Sequence, residues 1–386
     1  MLAKAAISRA RTWPEAVEEV VSATRLDAPA DLALLFASAY FARYYDELVA
    51  RVHAASGARW LAGCSGQGVI GPEREIEREP ALALLQLALP GATVGAVHLT
   101  QRTLEEEGVV RLGGLTLEDV NAWLLFVDPF QLDIERLIRE LEAAYPGVTL
   151  IGGLASGRLD ERRTHVFLND RVYSEGAVAV ALGGNLRVHT VVSQGAEPIG
   201  QPWTITGARG NVLETIGGRP AYQVLVETIQ ELPLERQQRA ARNLLVGLAM
   251  DEYKERFGRG DYLIRNLLGA DRQSGALAIG AYPRVGQTLQ FQMRDARAAD
   301  EDLRVLLAQA RAELGDQRPV AAVLCSCNGR GENLFGPIDH DARGVAAAFG
   351  RLPLVGFFCN GEIGPVGGKT FLHGFTASIA LLVPRD

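Results

Sequence analysis

Two short polar runs near the C-terminus carry residue types suited to ligand recognition. One is Cys325-Ser326-Cys327-Asn328-Gly329-Arg330-Gly331; the other is Cys359-Asn360-Gly361-Glu362-Ile363-Gly364. Each directly follows an apolar run. In open α/β sheets, ligands bind outside the carboxyl ends of the strands. Glycine there lets backbone amides come close to a ligand. Asn328, Arg330, Asn360 and Glu362 would supply directional contacts, with Gly329 and Gly361 giving the backbone room. An Arg and a Glu converging on one cavity suit a zwitterion or a carboxylate, because a guanidinium grips a carboxylate through two parallel hydrogen bonds. The bland alternative is that Arg330 and Glu362 simply pair with each other across two loops. Ligand contact is the favoured reading, since functional side chains concentrate on loops held by rigid scaffolds.

The cysteines raise sharper chemistry. Cys325-x-Cys327 with Cys359 would hold zinc only if His340 or His373 joined them, and the spacing is not that of paired zinc couples. No metal is expected. A nucleophilic thiol needs amides or a cation to stabilise its thiolate. Cys359, Cys327 and Cys64 are weak candidates, and none can be matched with a base. Buried thiols more often serve as small apolar side chains. The loop containing Cys64-Ser65-Gly66 lacks the Gly-Lys-Ser/Thr of a phosphate-binding loop. A dinucleotide fingerprint is absent too, so no cofactor is expected. Glu75 and Glu77 lie two apart and would share a strand face. Arg74 and Arg78 beside them make a solvated charged surface the expectation. His98, His165 and His189 stand alone in apolar stretches and read as core or surface.

The elements that position these residues recur. An apolar strand, an amphipathic helix, a short strand ending Leu-x-Gly, a Gly-rich loop and a further strand appear three times. The first strands are Leu32–Ser38, Ala122–Val127 and Val320–Leu324. The Leu-x-Gly sites begin at Leu61, Leu150 and Leu354, which lie 29, 28 and 34 residues downstream. Such self-similarity marks an internal repeat, and it would bring the Gly-rich loops to one end. Near-continuous apolar strands are expected where both sheet faces are covered. Asp133 is a candidate N-cap for a helix over about 134–144. Other helices are expected over about 221–249 and 300–314, with a strand-rich stretch over 262–292. Gly217-Gly218-Arg219-Pro220 is the best boundary. It divides the chain into domains 1–217 and 218–386. The expected fold is α/β, in two related halves with mixed sheets covered by helices.

Composition narrows the functional classes. The chain has 386 residues and a formal net charge of −7, against a general nucleic-acid binder. Gly numbers 42, and 36 of the 39 basic residues are Arg. Four cysteines are no disulfide framework. No apolar run reaches the ~18 residues of a membrane span, and the N-terminus lacks a signal-peptide pattern. A cytoplasmic location is expected, with no membrane partner.

The ordered motifs resemble those of the FIST family. Its C-terminal pattern is matched by Cys325–Gly331, Leu334-Phe335-Gly336, His340-Asp341-Ala342, Pro353–Phe358, Gly361–Pro365 and Phe371–Ser378. Upstream, Tyr262–Gly269, Arg294-Asp295-Ala296, Leu35–Ser38, Gly63–Gly71 and Glu75–Glu77 also match. Leu324 stands where the family often has Phe. The resemblance covers about residues 5–383. It implies a bacterial sensory module that binds small ligands, amino acids among them, and signals through a partner protein or an oligomer interface. The expected ligand site is Asn328, Gly329, Arg330, Asn360, Gly361 and Glu362, closed by Cys64, Ser65 and Gly66. The alternatives are a cysteine-dependent acyl- or amide-transfer enzyme, a redox-responsive thiol protein, and a protein–protein adaptor.

Overall fold

In the computed structural model, residues 1–106, 117–158, 162–336 and 338–385 are described. The chain forms two compact units. Unit 1 comprises residues 1–192, 303–372 and 376–386; unit 2 comprises 193–302 and 373–375. The α/β class with mixed sheets is as expected.

Unit 1 contains the three repeats. Repeat one runs β1 (Leu2–Ser8), α1 (Trp13–Thr24), β2 (Leu32–Ser38), α2 (Tyr45–Ser56), β3 (Trp60–Gly66), β4 (Gly68–Gly71), β5 (Arg74–Glu77) and β6 (Leu82–Ala88). Repeat two follows the same order. It has β7 (Ala92–Leu99), α3 (Gln101–Glu106), β8 (Ala122–Val127), α4 (Ile134–Ala144), β9 (Thr149–Leu154), β10 (Val166–Leu168), β11 (Arg171–Tyr173) and β12 (Ala177–Gly184). Repeat three opens with β13 (Leu186–Gln194), and unit 2 is inserted after it.

Unit 2 carries β14 (Ala196–Pro198), β15 (Trp203–Arg209), β16 (Val212–Ile216), β17 (Arg219–Pro220), α5 (Ala221–Gln230), α6 (Leu234–Asn243), β18 (Leu244–Ala249), β19 (Tyr262–Asp271), β20 (Ala276–Ile279) and β21 (Thr288–Arg294). Repeat three resumes through α7 (Ala296–Leu314). It continues with β22 (Ala321–Cys327), α8 (Glu332–Phe335), α9 (His340–Phe349), β23 (Leu354–Cys359), β24 (Glu362–Val366), β25 (Lys369–His373) and β26 (Thr376–Pro384).

Each repeat builds four strands of one sheet and lends a hairpin to another. β2 and β3, β8 and β9, and β22 and β23 are the parallel pairs. The hairpin β4–β5 of repeat one joins the sheet of repeat three. Likewise β10–β11 joins the sheet of repeat one, and β24–β25 joins the sheet of repeat two. The exchange is cyclic, so unit 1 is a pseudo-threefold ring of six-stranded sheets.

The strand alternation explains the layers. Leu32, Leu34, Phe36, Leu124, Phe126, Ala321, Val323 and Cys325 point into one central core. The residues between them pack on helices, as Leu35 does in repeat one, Leu125 in repeat two and Leu324 in repeat three. Phe36, Phe126 and Phe357 meet at the centre, with ring centroids 4.9–6.2 Å apart.

The glycine of each Leu-x-Gly has one physical cause. Gly63, Gly152 and Gly356 lie opposite Leu35, Leu125 and Leu324. A Cβ there would come within 1.8, 2.0 and 1.8 Å of those leucine carbonyl oxygens. Only glycine permits that approach.

In unit 2, β21, β15, β16, β20, β19 and β18 pair in sequence, and β18 pairs back with β21. The ring of antiparallel pairings closes over an apolar core shared with α5 and α6. Closure removes the open sheet edge. The helix expected over 221–249 is corrected here. Gln230 ends one helix, a second ends at Asn243, and Leu244–Ala249 is a strand. Its apolar run fills the sheet on both faces, a need that helical periodicity does not reveal. The strands expected over 262–292 are present as β19–β21. No helix among the described residues is long and apolar enough to cross a membrane.

Candidate functional site

The loops that follow β3, β9 and β23 meet at one end of unit 1, as the repeat implies. Ser65 Oγ donates to Ser156 O at 2.8 Å, and Gln67 N–H donates to Ser156 Oγ at 2.7 Å. Asn360 Nδ2 donates to Ala155 O at 3.0 Å, and Asn328 Nδ2 to Asn360 Oδ1 at 2.9 Å. Thus Ser65, Asn328 and Asn360 share one network. Cys64 lies in the same strand as Ser65, yet its side chain packs in the central core.

The pseudo-threefold supplies an internal comparison. Glu362 pairs with Gly153 in register, as Val166 pairs with Cys64 and Val69 with Phe357. Glu362 therefore occupies a position that is valine in the other two repeats. Cys325 likewise replaces Phe36 and Phe126, and Ser378 replaces Ala83 and Val178. Repeat three has put polar groups where its siblings keep apolar core.

Glu362 is 0% exposed. Its Oε2 accepts from Thr376 N–H at 3.0 Å, and its Oε1 from the Cys359 thiol at 3.2 Å. Burial pushes its carboxyl up to about 8, although those hydrogen bonds and Arg330 pull the other way. Burial also holds Cys359 well above the ordinary thiol range, and the neighbouring carboxyl adds to the effect. Cys64 is raised by burial as well. Both therefore remain thiols at neutral pH, the opposite of an activated nucleophile. Cys327 is half-buried. Among the described residues no group of three His, Cys, Asp or Glu could hold a metal ion.

Arg330 is 0% exposed and pairs with Asp341, not with Glu362. Its Nε and Nη2 both lie 2.8 Å from the Asp341 carboxylate. Ser326 Oγ donates to the same carboxylate at 2.8 Å, and His340 Nδ1 lies 2.9 Å from it. Phe335 stacks on His340 at 3.4 Å and lies beneath the guanidinium at 5.2 Å. Burial would raise Asp341, but Arg330 beside it wins and holds it well below the usual carboxylate range. The sequence reading missed Asp341. It lies eleven residues beyond Arg330 in the sequence, and the signal available was that a buried guanidinium demands a carboxylate.

Glu75 corrects the expectation of a solvated charged pair. It is 7% exposed, and its Oε1 accepts from Ala342 N–H at 2.8 Å in the first turn of α9. Glu77 Oε1 accepts from Glu332 N–H at 2.8 Å in α8. Both glutamates lie on the exchanged hairpin, so they cap helices of another repeat. Burial, then the charge of Asp341, pushes Glu75 up to about 8.

Among the described residues, Gln67 Oε1, Glu75 Oε2, Asn328 Oδ1 and Arg330 Nη1 are buried with no hydrogen-bond partner. Arg330 Nη1 is a donor, and Asn328 Oδ1 is an acceptor.

The FIST N domain matches residues 31–219, and the FIST C domain matches residues 221–365. The chain belongs to the FIST family. It is 41% identical over 355 residues to the uncharacterized protein Rv0628c of Mycobacterium tuberculosis (strain ATCC 25618 / H37Rv), covering 91% of each chain. It is 39% identical over 326 residues to the uncharacterized protein Mb0898c of Mycobacterium bovis, covering 84% of this chain and 83% of that one. Among solved structures, a cyanuric acid hydrolase from A. caulinodans aligns over 100% of this chain and 99% of its own, at 10% identity and a TM-score of 0.36.

Proposed function

We propose that this FIST protein is a cytoplasmic small-ligand sensor that takes an amino acid or a related small carboxylate at the ends of β22 and β23. The observation that carries the reading is the pair of buried, unpartnered atoms, Arg330 Nη1 and Asn328 Oδ1. A buried polar group without a partner costs about 1–3 kcal/mol. A zwitterion would satisfy both: its carboxylate would accept from Arg330, and its ammonium would donate to Asn328. Glu362 and Asn360 would complete the contacts, with Gly329 and Gly361 giving access to backbone. Ser65 and Gly66 would border the site, and Cys64 would support it from the core. Asp341 holds the guanidinium in place, so the ligand meets a preset donor. The bound state would be read by a partner protein or through an oligomer interface.

A thermal-shift screen with the twenty amino acids and small carboxylates, followed by titration calorimetry, tests this. A ligand at 100 times its Kd adds about 2.7 kcal/mol of stability. Asn328→Ala and Glu362→Gln should each weaken the selected ligand at least tenfold. No response to any amino acid or carboxylate, or unchanged affinity in both variants, would sink the proposal. Arg330→Ala is a poor first choice, because it leaves Asp341 buried without its partner.

A further inference from the structure

An open cleft of about 630 Å³ lies in unit 1 beside the carboxyl ends of β2 and β3. Its walls include Tyr40, Arg43, Tyr44, Arg158, Arg163 and His165. Among the described lining residues, three are arginines and one, Asp46, carries a carboxylate. The side chains of Arg43 and Arg163 have no hydrogen-bond or salt-bridge partner among the described residues, and both are exposed. This concentration of positive charge occurs in a chain whose net charge is −7.

The floor of the cleft is held by hydrogen bonds and ring contacts. Ser65 N–H donates to His165 O at 2.9 Å, and His165 N–H donates to Ser65 Oγ at 3.0 Å. Tyr45 meets the His165 ring edge-on at 5.1 Å, and its own hydroxyl is fixed on Ala37 O and Ser38 O. Burial, then Arg163, lowers the His165 pKa, so the ring is neutral at pH 7 and adds no charge. At the matching place in repeat three, α8 stands against the exchanged hairpin and Glu332 N–H donates to Glu77. At that place repeat one has the 3-10 helix Ala39–Tyr44, and its Arg43 lines the cleft.

We infer that this cleft binds a small organic anion carrying two or more negative charges, gripped by Arg43, Arg163 and Arg158 with Tyr40 and Tyr44 at its rim. Arginine forks match carboxylate and phosphate oxygens equally well. This inference does not rest on the amino-acid reading, because none of the cleft arginines belongs to the Arg330 cluster.

Titration calorimetry on the full chain at low salt, with inorganic pyrophosphate in one arm and citrate in the other, tests it. At least one probe should bind with 1:1 stoichiometry. Arg43→Gln combined with Arg163→Gln should weaken it at least tenfold, with the melting temperature unchanged since both side chains are exposed. Glu362→Gln and the control Arg209→Gln, an exposed arginine of unit 2, should leave binding as it was. Preference for pyrophosphate assigns a phosphate-bearing ligand; preference for citrate assigns a polycarboxylate. Failure of both probes to saturate, or equal losses at Arg209 and at the cleft arginines, overturns the inference. The single reversal Arg43→Glu gives a second reading should the double variant fold poorly.

Discussion

Glu362 is a carboxyl group placed where the other two repeats put valine, and its titration reports on the fold. An unfolded glutamate ionises near about 4.3. In the folded chain Glu362 keeps its proton up to about 8. Between those values the folded chain binds more protons than the unfolded one, so stability falls as pH rises through the window. Glu75 acts with the same sign. The melting temperature should therefore drop by several degrees between pH 5 and pH 8, and Glu362→Gln should make that slope shallower. A variant slope as steep as the parent's would contradict the buried protonated carboxyl. Residue types announced part of this cluster in advance: Arg330, Glu362, Asn328 and Asn360 are close in space. Their pairing was not legible. Asp341 takes the Arg330 fork, and the Glu75 cap on α9 arrives from a different repeat, a contact between residues 267 apart.

At the scale of elements, the Leu-x-Gly signal was legible because a backbone constraint imposed it. Gly152 has φ 154° and sits where a Cβ would lie 2.0 Å from Leu125 O. Gly152→Ala should abolish soluble expression, or lower stability by far more than a mere conformational penalty. Gly147 is the control. It has φ 78° and open space around it, so Gly147→Ala should cost only about 1–2 kcal/mol for the left-handed backbone. Chemical denaturation of both variants distinguishes steric collision from conformational strain, and similar losses would remove the close-approach argument. The break between α6 and β18 escaped the sequence reading for the opposite reason. Leu244–Ala249 is uniformly apolar, and a uniform run has no period from which to choose between helix and strand.

Across the whole molecule, the repeats were visible but their exchange of hairpins was not, since nothing in a local pattern names the sheet a hairpin will join. The exchange makes every sheet of unit 1 depend on two repeats. Hydrogen exchange should therefore show amides of β4, β10 and β24 opening together, with the same free energy as the central strands β2, β8 and β22. Early exchange confined to one repeat would show that the three fold independently. The same exchange bears on synthesis. The hairpin Gly68–Glu77 is synthesised well before its docking strand Leu354–Cys359. Loop closure over that separation is slow. Until Leu354–Cys359 emerges, the hairpin lacks its pairing strand, and an unpaired sheet edge is prone to aggregation. Shielding the growing chain until Leu354–Cys359 is made should therefore raise the yield of folded protein.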